Sequence, residues 1–294
     1  MHSVGSRWRN RVRKKCMGAE YTDHMTRSLR WLKDDIALRM MQKLEVLKHQ
    51  PRSLLILPDA IGIQGRLLAK RFPRAASHCV IESGAALDRL ALKATRTAQF
   101  IKNGIPSFSY LSTPSLAVPD QSQDMVFSNL WMQDLQNPSW SVEEAWRVLR
   151  EGGLFTFSYL GPDTGKELRA LDLSQSRGLG VKNLPGAWDM HDLGDALVKA
   201  RFADPVMDME YLTLEYESDA LYIQDAIALG LLSADKSLHA LGSEPPFLPK
   251  KMTLELVYGH AWVVNKHLSK AKDALAFINP EQIKRKITRD YKQE

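Results

Sequence analysis

The chain has 294 residues, 44% of them hydrophobic and 25% charged, which suits one large core with appendages. No run of about 18 apolar residues interrupts it, and the basic start "MHSVGSRWRNRVRKKCMGAE" is not followed by an apolar segment, so a soluble, cytoplasmic chain without a secretion signal is expected. Two cysteines, Cys16 and Cys79, exclude a disulfide framework. The net charge of +6 belongs to an arm: Arg7, Arg9, Arg11, Arg13, Lys14 and Lys15 precede the first acid, Glu20, and without them 34 basic residues face 34 acidic ones. Such an arm reads either as a solvated tail or as a contact for an acidic protein, a nucleic acid or a targeting receptor.

From Thr22 to His49 the apolar residues Met25, Leu29, Leu32, Ile36, Met40, Leu44 and Leu47 recur every three or four positions, the period of a helix with one core-facing stripe. Pro51 ends that pattern. Short apolar runs then alternate with helical stretches: "SLLIL" at 53–57, a helix at 63–72, "HCVIE" at 78–82, a helix at 85–93, "DMVFS" at 124–128, a helix at 141–150 and "LFTFSY" at 154–159. Strands separated by helices imply right-handed crossovers and a mainly parallel sheet covered on both faces.

The rhythm changes after Tyr159. A helix at 191–200 precedes "MEYLTLEY" (209–216), which alternates as a half-solvated strand does, and "TLELVYGHAWVV" (253–264) reads as its antiparallel partner. The segments near 161–189 and 218–251 read as insertions that form a lid on the ligand edge, within a domain spanning 51–280 and followed by a basic tail at 281–294. The arm covers 1–20 and the N-terminal helix 21–50. His191 is expected to start a helix and His260 to pack on a strand. No HExxH, G-x-S-x-G or paired metal-ligand spacing occurs, so neither a metal site nor a serine hydrolase is expected.

In an open parallel sheet a ligand binds beyond the carboxyl ends of the strands, and the first strand-to-helix turn makes most of the contact. That turn needs glycines, which let backbone N–H groups approach the ligand without a Cβ in the way. Here it reads "LLILPDAIGIQG", with Asp59 and Gly62 as its candidate cofactor contacts. Glu82 closes the second strand at the spacing of a carboxylate that accepts from two ribose hydroxyls, or is an ordinary strand-end acid.

The stretch "DMVFSNLWMQDLQNPSWSVEEAWRVLREGGLFTFSYLGPDTGKELRAL" resembles a family of S-adenosylmethionine-dependent methyltransferases, that of the malonyl carrier-protein O-methyltransferase of biotin synthesis and the mitochondrial complex I assembly factor. "AEYTDHM", "DMHDLGDALVKARFADPVMDMEYLTLEY" and "YGHAWV" extend the likeness over roughly residues 10–280. The resemblance implies a doubly wound α/β fold of the class I methyltransferase type, a seven-stranded, mostly parallel sheet whose last strand is antiparallel. It also implies S-adenosylmethionine as cofactor and Asn129 beside the methyl donor.

Against the family's glycine-rich pattern, Ile56 stands in place of an aspartate, and Pro58 and Ala60 in place of the first two glycines. The third-strand acid is also missing, with Leu111, Ser112 and Thr113 in its neighbourhood. The catalytic candidates are Tyr21, whose ring, like that of Trp131, would face the sulfonium, and Lys166 and Arg169, cations for an acceptor carboxylate. Two functions stand side by side: a carboxyl O-methyltransferase acting on a malonyl group of an acidic acyl carrier protein that meets the basic arm, and a degenerate member acting as an assembly or interaction scaffold. Nucleic-acid binding through the arm is a third reading.

Overall fold

Leu54 and Ile56 of the first strand, β1 (Ser53–Leu57), face one side of a sheet, Leu55 and Leu57 face the other, and all four are buried. A strand apolar on both faces must be covered on both. In the computed structural model that covering comes from helices on each side. The structure describes residues 30–57, 63–81, 107–112, 115–132, 138–171, 181, 188–233, 248–264 and 266, with backbone alone at 30, 81, 107–112 and 115, and every structural statement below concerns these. All but Lys266 belong to the unit Met1–Val264.

β2 (Ala76–Ile81), β3 (Ser107–Ser112), β5 (Gln123–Asn129) and β6 (Leu149–Leu160) form the parallel part of the sheet with β1, and the two-residue β4 (Ser115–Leu116) lies antiparallel on β3. β8 (Lys251–Val263) is antiparallel both to β6 and to β7 (Phe202–Glu215). The spatial order is β4-β3-β2-β1-β5-β6-β8-β7. This is the doubly wound sheet with an antiparallel last strand that the resemblance implies, with β4 as an eighth strand where seven were expected. Two residues at an edge leave no readable periodicity.

One apolar layer joins Leu54, Ile56, Met125 and Phe127 to Leu32, Ile36, Met40 and Leu44 of α1 (Arg30–Leu44), Leu68 of α2 (Gln64–Arg71) and Tyr222 of α6 (Asp219–Ala228). The opposite layer joins Leu55, Val126 and Phe157 to Val142 and Ala145 of α3 (Pro138–Val148) and Leu193 and Leu197 of α5 (Met190–Lys199). α5 starts beside His191 as expected: the Asp189 carboxylate accepts from the N–H groups of His191 and Asp192, and Asp192 accepts in return from the Asp189 N–H.

Three element bounds differ most from the sequence expectation. α1 stops at Leu44 instead of reaching His49, because the chain turns there with Leu47 N–H on the Leu44 carbonyl at 3.1 Å. His49 then packs edge-on against Trp262, centroids 5.1 Å apart, as the chain enters β1. β6 begins at Leu149 instead of 154, because Gly152 at φ +76° takes up an irregularity of register opposite Gln123 and Met125. β7 begins at Phe202 instead of 209; it borders the sheet, and its first residues are interrupted by a register irregularity between Ala203 and Val206, with Asp204 at φ +47°. The helix expected at 85–93 lies outside the described residues.

Candidate methyl-donor site

The strand order reverses between β1 and β5, so the crevice of this sheet lies beyond the carboxyl ends of those two strands. On the α1 face that edge carries Ile56, Asn129 and Ser158, the last two paired across β5 and β6. Asn129 is fully buried. Its Nδ2 donates to the Lys33 carbonyl at 2.8 Å and to Gln64 Oε1 at 2.9 Å, and its Oδ1 accepts from the Ser158 hydroxyl at 3.1 Å. Ser158 Oγ in turn accepts from Leu130 N–H at 3.0 Å. Leu130 leaves the strand at φ +55°, a left-handed conformation that a leucine holds only when its surroundings over-determine it.

α1 reaches a second point of the same edge. Asp34, next to Lys33 and half-buried, accepts at Oδ1 from Ile63 N–H at 2.9 Å, the residue that opens α2 after the first turn. One stretch of α1 therefore bridges the exit of the β1 turn and the end of β5. Ile56 is 1% exposed and shares its apolar cluster with Leu32 and Ile36, so β1 brings no charge to this edge.

The segment that follows β6 is stitched to β8. Gly161 N–H donates to the Glu255 carbonyl at 2.9 Å and Gly165 N–H to the Thr253 carbonyl at 2.8 Å. The buried Glu255 carboxylate accepts from Asp163 N–H at 2.7 Å, and Glu167 accepts from Thr253 N–H at 3.0 Å. On this segment lies α4 (Lys166–Arg169). Arg169 donates to the carbonyls of Pro162 and Thr164, bracing its own turn. Lys166 Nζ is 3.7 Å from Asp163 and 5.1 Å from the centre of the Tyr211 ring, with its side chain half exposed. Tyr211 donates its hydroxyl to Asp163, which raises the phenol above its usual range. The segments expected as insertions meet in an antiparallel bridge between Val181 and Leu232, and Gly165 lies against the Leu231 side chain.

Of the residues singled out from the sequence, Tyr21, Asp59, Gly62 and Glu82 lie outside the described residues, as do Pro58 and Ala60. Asn129 sits at the centre of the buried network. Lys166 and Arg169 share one turn beyond the neighbouring strand. Trp131 is 1% exposed and packs on Trp140 with ring centres 5.7 Å apart, and its indole N–H has no hydrogen-bond partner among the described residues. Asp34, Gln64 and Ser158 escaped the sequence reading. Gln64 and Ser158 left a signal, as polar side chains in apolar patterns at element ends; Asp34 looks like any acid on an amphipathic helix. Among the described residues no group of three or more His, Cys, Asp and Glu is placed to hold a metal ion. No described helix is long and apolar enough to cross a membrane.

Residues 62–157 match the family model described as a methyltransferase domain. The chain is 36% identical over 257 residues to a malonyl-acyl-carrier-protein O-methyltransferase of Gallionella capsiferriformans, covering 79% of this chain and 83% of that one. To the protein of the same name from Laribacter hongkongensis it is 33% identical over 255 residues, with 79% and 82% covered. Among solved structures, the YcgJ protein of Bacillus subtilis superposes with a TM-score of 0.54 at 14% identity, covering 78% of this chain and 99% of that one, a likeness of fold.

S-adenosylmethionine, the donor of such enzymes, carries an ammonium, a carboxylate and a sulfonium at one end of an adenosine. The switch-point edge presents to that end a polar wall of Asn129, Gln64 and Ser158, whose hydrogen bonds are made within the protein. It also offers Asp34, whose Oδ2 has no partner among the described residues, while Ile56 contributes nothing polar. By sequence over most of its length, and by fold, the chain belongs to the malonyl-acyl-carrier-protein O-methyltransferase family of S-adenosylmethionine-dependent methyltransferases.

Proposed function

We propose that the protein methylates the free carboxylate of a malonyl group carried by an acyl carrier protein. The observation that carries this reading is the pinned segment after β6, which holds the half-exposed ammonium of Lys166 beyond the strand next to Asn129. The relatives, named malonyl-acyl-carrier-protein O-methyltransferases, support the acceptor.

A carboxylate is already ionised at neutral pH, so no proton has to leave before attack and no general base is needed. When bound, the donor supplies an electrophilic methyl on a positively charged sulfur. The chain's own residues align the acceptor oxygen and keep water away from it. In this reading Lys166 holds the acceptor carboxylate, and Arg169 keeps Lys166 in place through the Pro162 and Thr164 carbonyls. Asn129 fixes the wall on which the donor's amino-acid end rests. Tyr21 presents its ring face to the cationic sulfur, whereas Trp131, buried against Trp140, packs in the core. Asp59 and Gly62 belong to the donor's turn, and Glu82 accepts from its ribose. The basic arm meets the acidic carrier protein, steering encounter by opposite charge.

Lys166→Ala is expected to raise KM for the malonyl carrier protein about tenfold, the effect of losing one charge-assisted hydrogen bond, while donor affinity stays unchanged. Methyl transfer measured with native KM would remove Lys166 from the acceptor site. Ile56 favours a second reading, a member of this family that holds the donor weakly and serves as an interaction scaffold. Calorimetry decides between them: no heat with S-adenosylmethionine or its demethylated product selects the scaffold.

A further inference from the structure

We infer that Asp34 supplies, from the N-terminal helix, the negative charge that β1 lacks at Ile56, and that it receives the ammonium of the methyl donor. The inference rests on the donor reading above and adds to it a residue of a different element. An ammonium beside a sulfonium is bound more strongly by a carboxylate than by neutral acceptors, and in a sheet of this order the ligand lies in the crevice between β1 and β5. The β1 end is apolar: Ile56 is 1% exposed and packed with Leu32 and Ile36. The β5 end is polar but neutral, with Asn129 spent on Lys33, Gln64 and Ser158. Among the described residues, Asp34 is the carboxylate joined to this edge. Oδ1 is held by Ile63 N–H at 2.9 Å, and the neighbouring Lys33 carbonyl is held by Asn129 at 2.8 Å.

These two bonds fix the helix against both strand ends, so the carboxylate is positioned before any ligand arrives. Oδ2 has no partner among the described residues. Ile56 and Asp34 thus complement each other: the apolar side chain in the strand packs α1 down, and the packed helix delivers the acid.

Asp34→Asn keeps an oxygen for Ile63 N–H and removes only the charge, so the fold and melting temperature should be preserved. Calorimetric titration of the full chain compares three ligands: S-adenosylmethionine, S-adenosylhomocysteine and methylthioadenosine, the last of which lacks the ammonium. The variant should bind the first two about tenfold or more weakly and the third as the native chain does. Asp34→Glu, which retains the charge, should keep the native order of affinities and serves where Asp34→Asn is unstable. Equal affinities in native chain and Asn variant, or equal weakening toward all three ligands, would overturn the inference and leave the donor reading intact. Absence of heat from the native chain with every ligand would overturn the donor reading itself.

Discussion

Gly161 has no room for a side chain: a Cβ there would stand 2.3 Å from the Glu255 carboxyl carbon. Gly161→Ala should push Glu255 off the Asp163 N–H, loosen the segment that carries Lys166 and cost about 1–3 kcal/mol, read as a fall in melting temperature. His260 faces a different constraint. It lies on β8 between Thr156 and Val206, with neither ring nitrogen hydrogen-bonded among the described residues. Burial, and then repulsion from Lys43, depress its pKa to about 4. Its unfolded-state pKa is higher, about 6.5, so its contribution is complete above that pH and is lost as the pH falls toward 4. Chemical denaturation of native protein and His260→Leu at pH 7 and pH 4.5 should show a smaller acid loss in the variant, by an amount of the order of 3 kcal/mol. An identical loss would assign the acid sensitivity elsewhere. At this scale the sequence was legible where chemistry is local: His191 and His260 sit as expected, and Asn129 stands out at a strand end. Asp34 could not be found that way, because its partner Ile63 is remote in sequence and known only once α1 is packed.

α1 acts as an element more than through any single contact. Leu32, Ile36, Met40 and Leu44 bury one stripe against the sheet, while Arg39 pairs with Glu210 at 2.7 Å and Lys43 with Asp208 on β7. The ion pairs are partly exposed and worth little, of the order of 1 kcal/mol at most, so the stripe dominates. Ile36→Ala should cost about 2–5 kcal/mol and lower the denaturant midpoint without changing the slope, whereas Arg39→Ala should barely move it. Because the same helix presents Lys33 and Asp34 to the site, Ile36→Ala is also expected to weaken donor binding, measured by calorimetry well below the melting temperature. The helix was legible as a 3.6-residue stripe, and β1 as four apolar residues before a proline. β4 and the early starts of β6 and β7 were not, since a two-residue strand, a glycine irregularity and a register shift between Ala203 and Val206 carry no period.

For the molecule as a whole, alternation of short apolar runs with helices gave the doubly wound sheet, and the change of rhythm after Tyr159 gave the antiparallel β7–β8 pair. The order of the strands, which puts the crevice between β1 and β5, came from the resemblance and the structure, because periodicity is blind to neighbours. The loss of charge at Ile56 read from the sequence as a defect of the site, and only the packing of α1 brings the Asp34 carboxylate to the same edge. The central claim is that this site still transfers a methyl group to a malonyl carboxylate. The most direct test is mass spectrometry of malonyl-acyl carrier protein after incubation with the purified chain and S-adenosylmethionine. The account predicts a gain of one methyl on the malonyl-loaded carrier and none on the carrier bearing an acetyl group, which has no free carboxylate. An unchanged malonyl carrier in the presence of folded, donor-bound protein would contradict it.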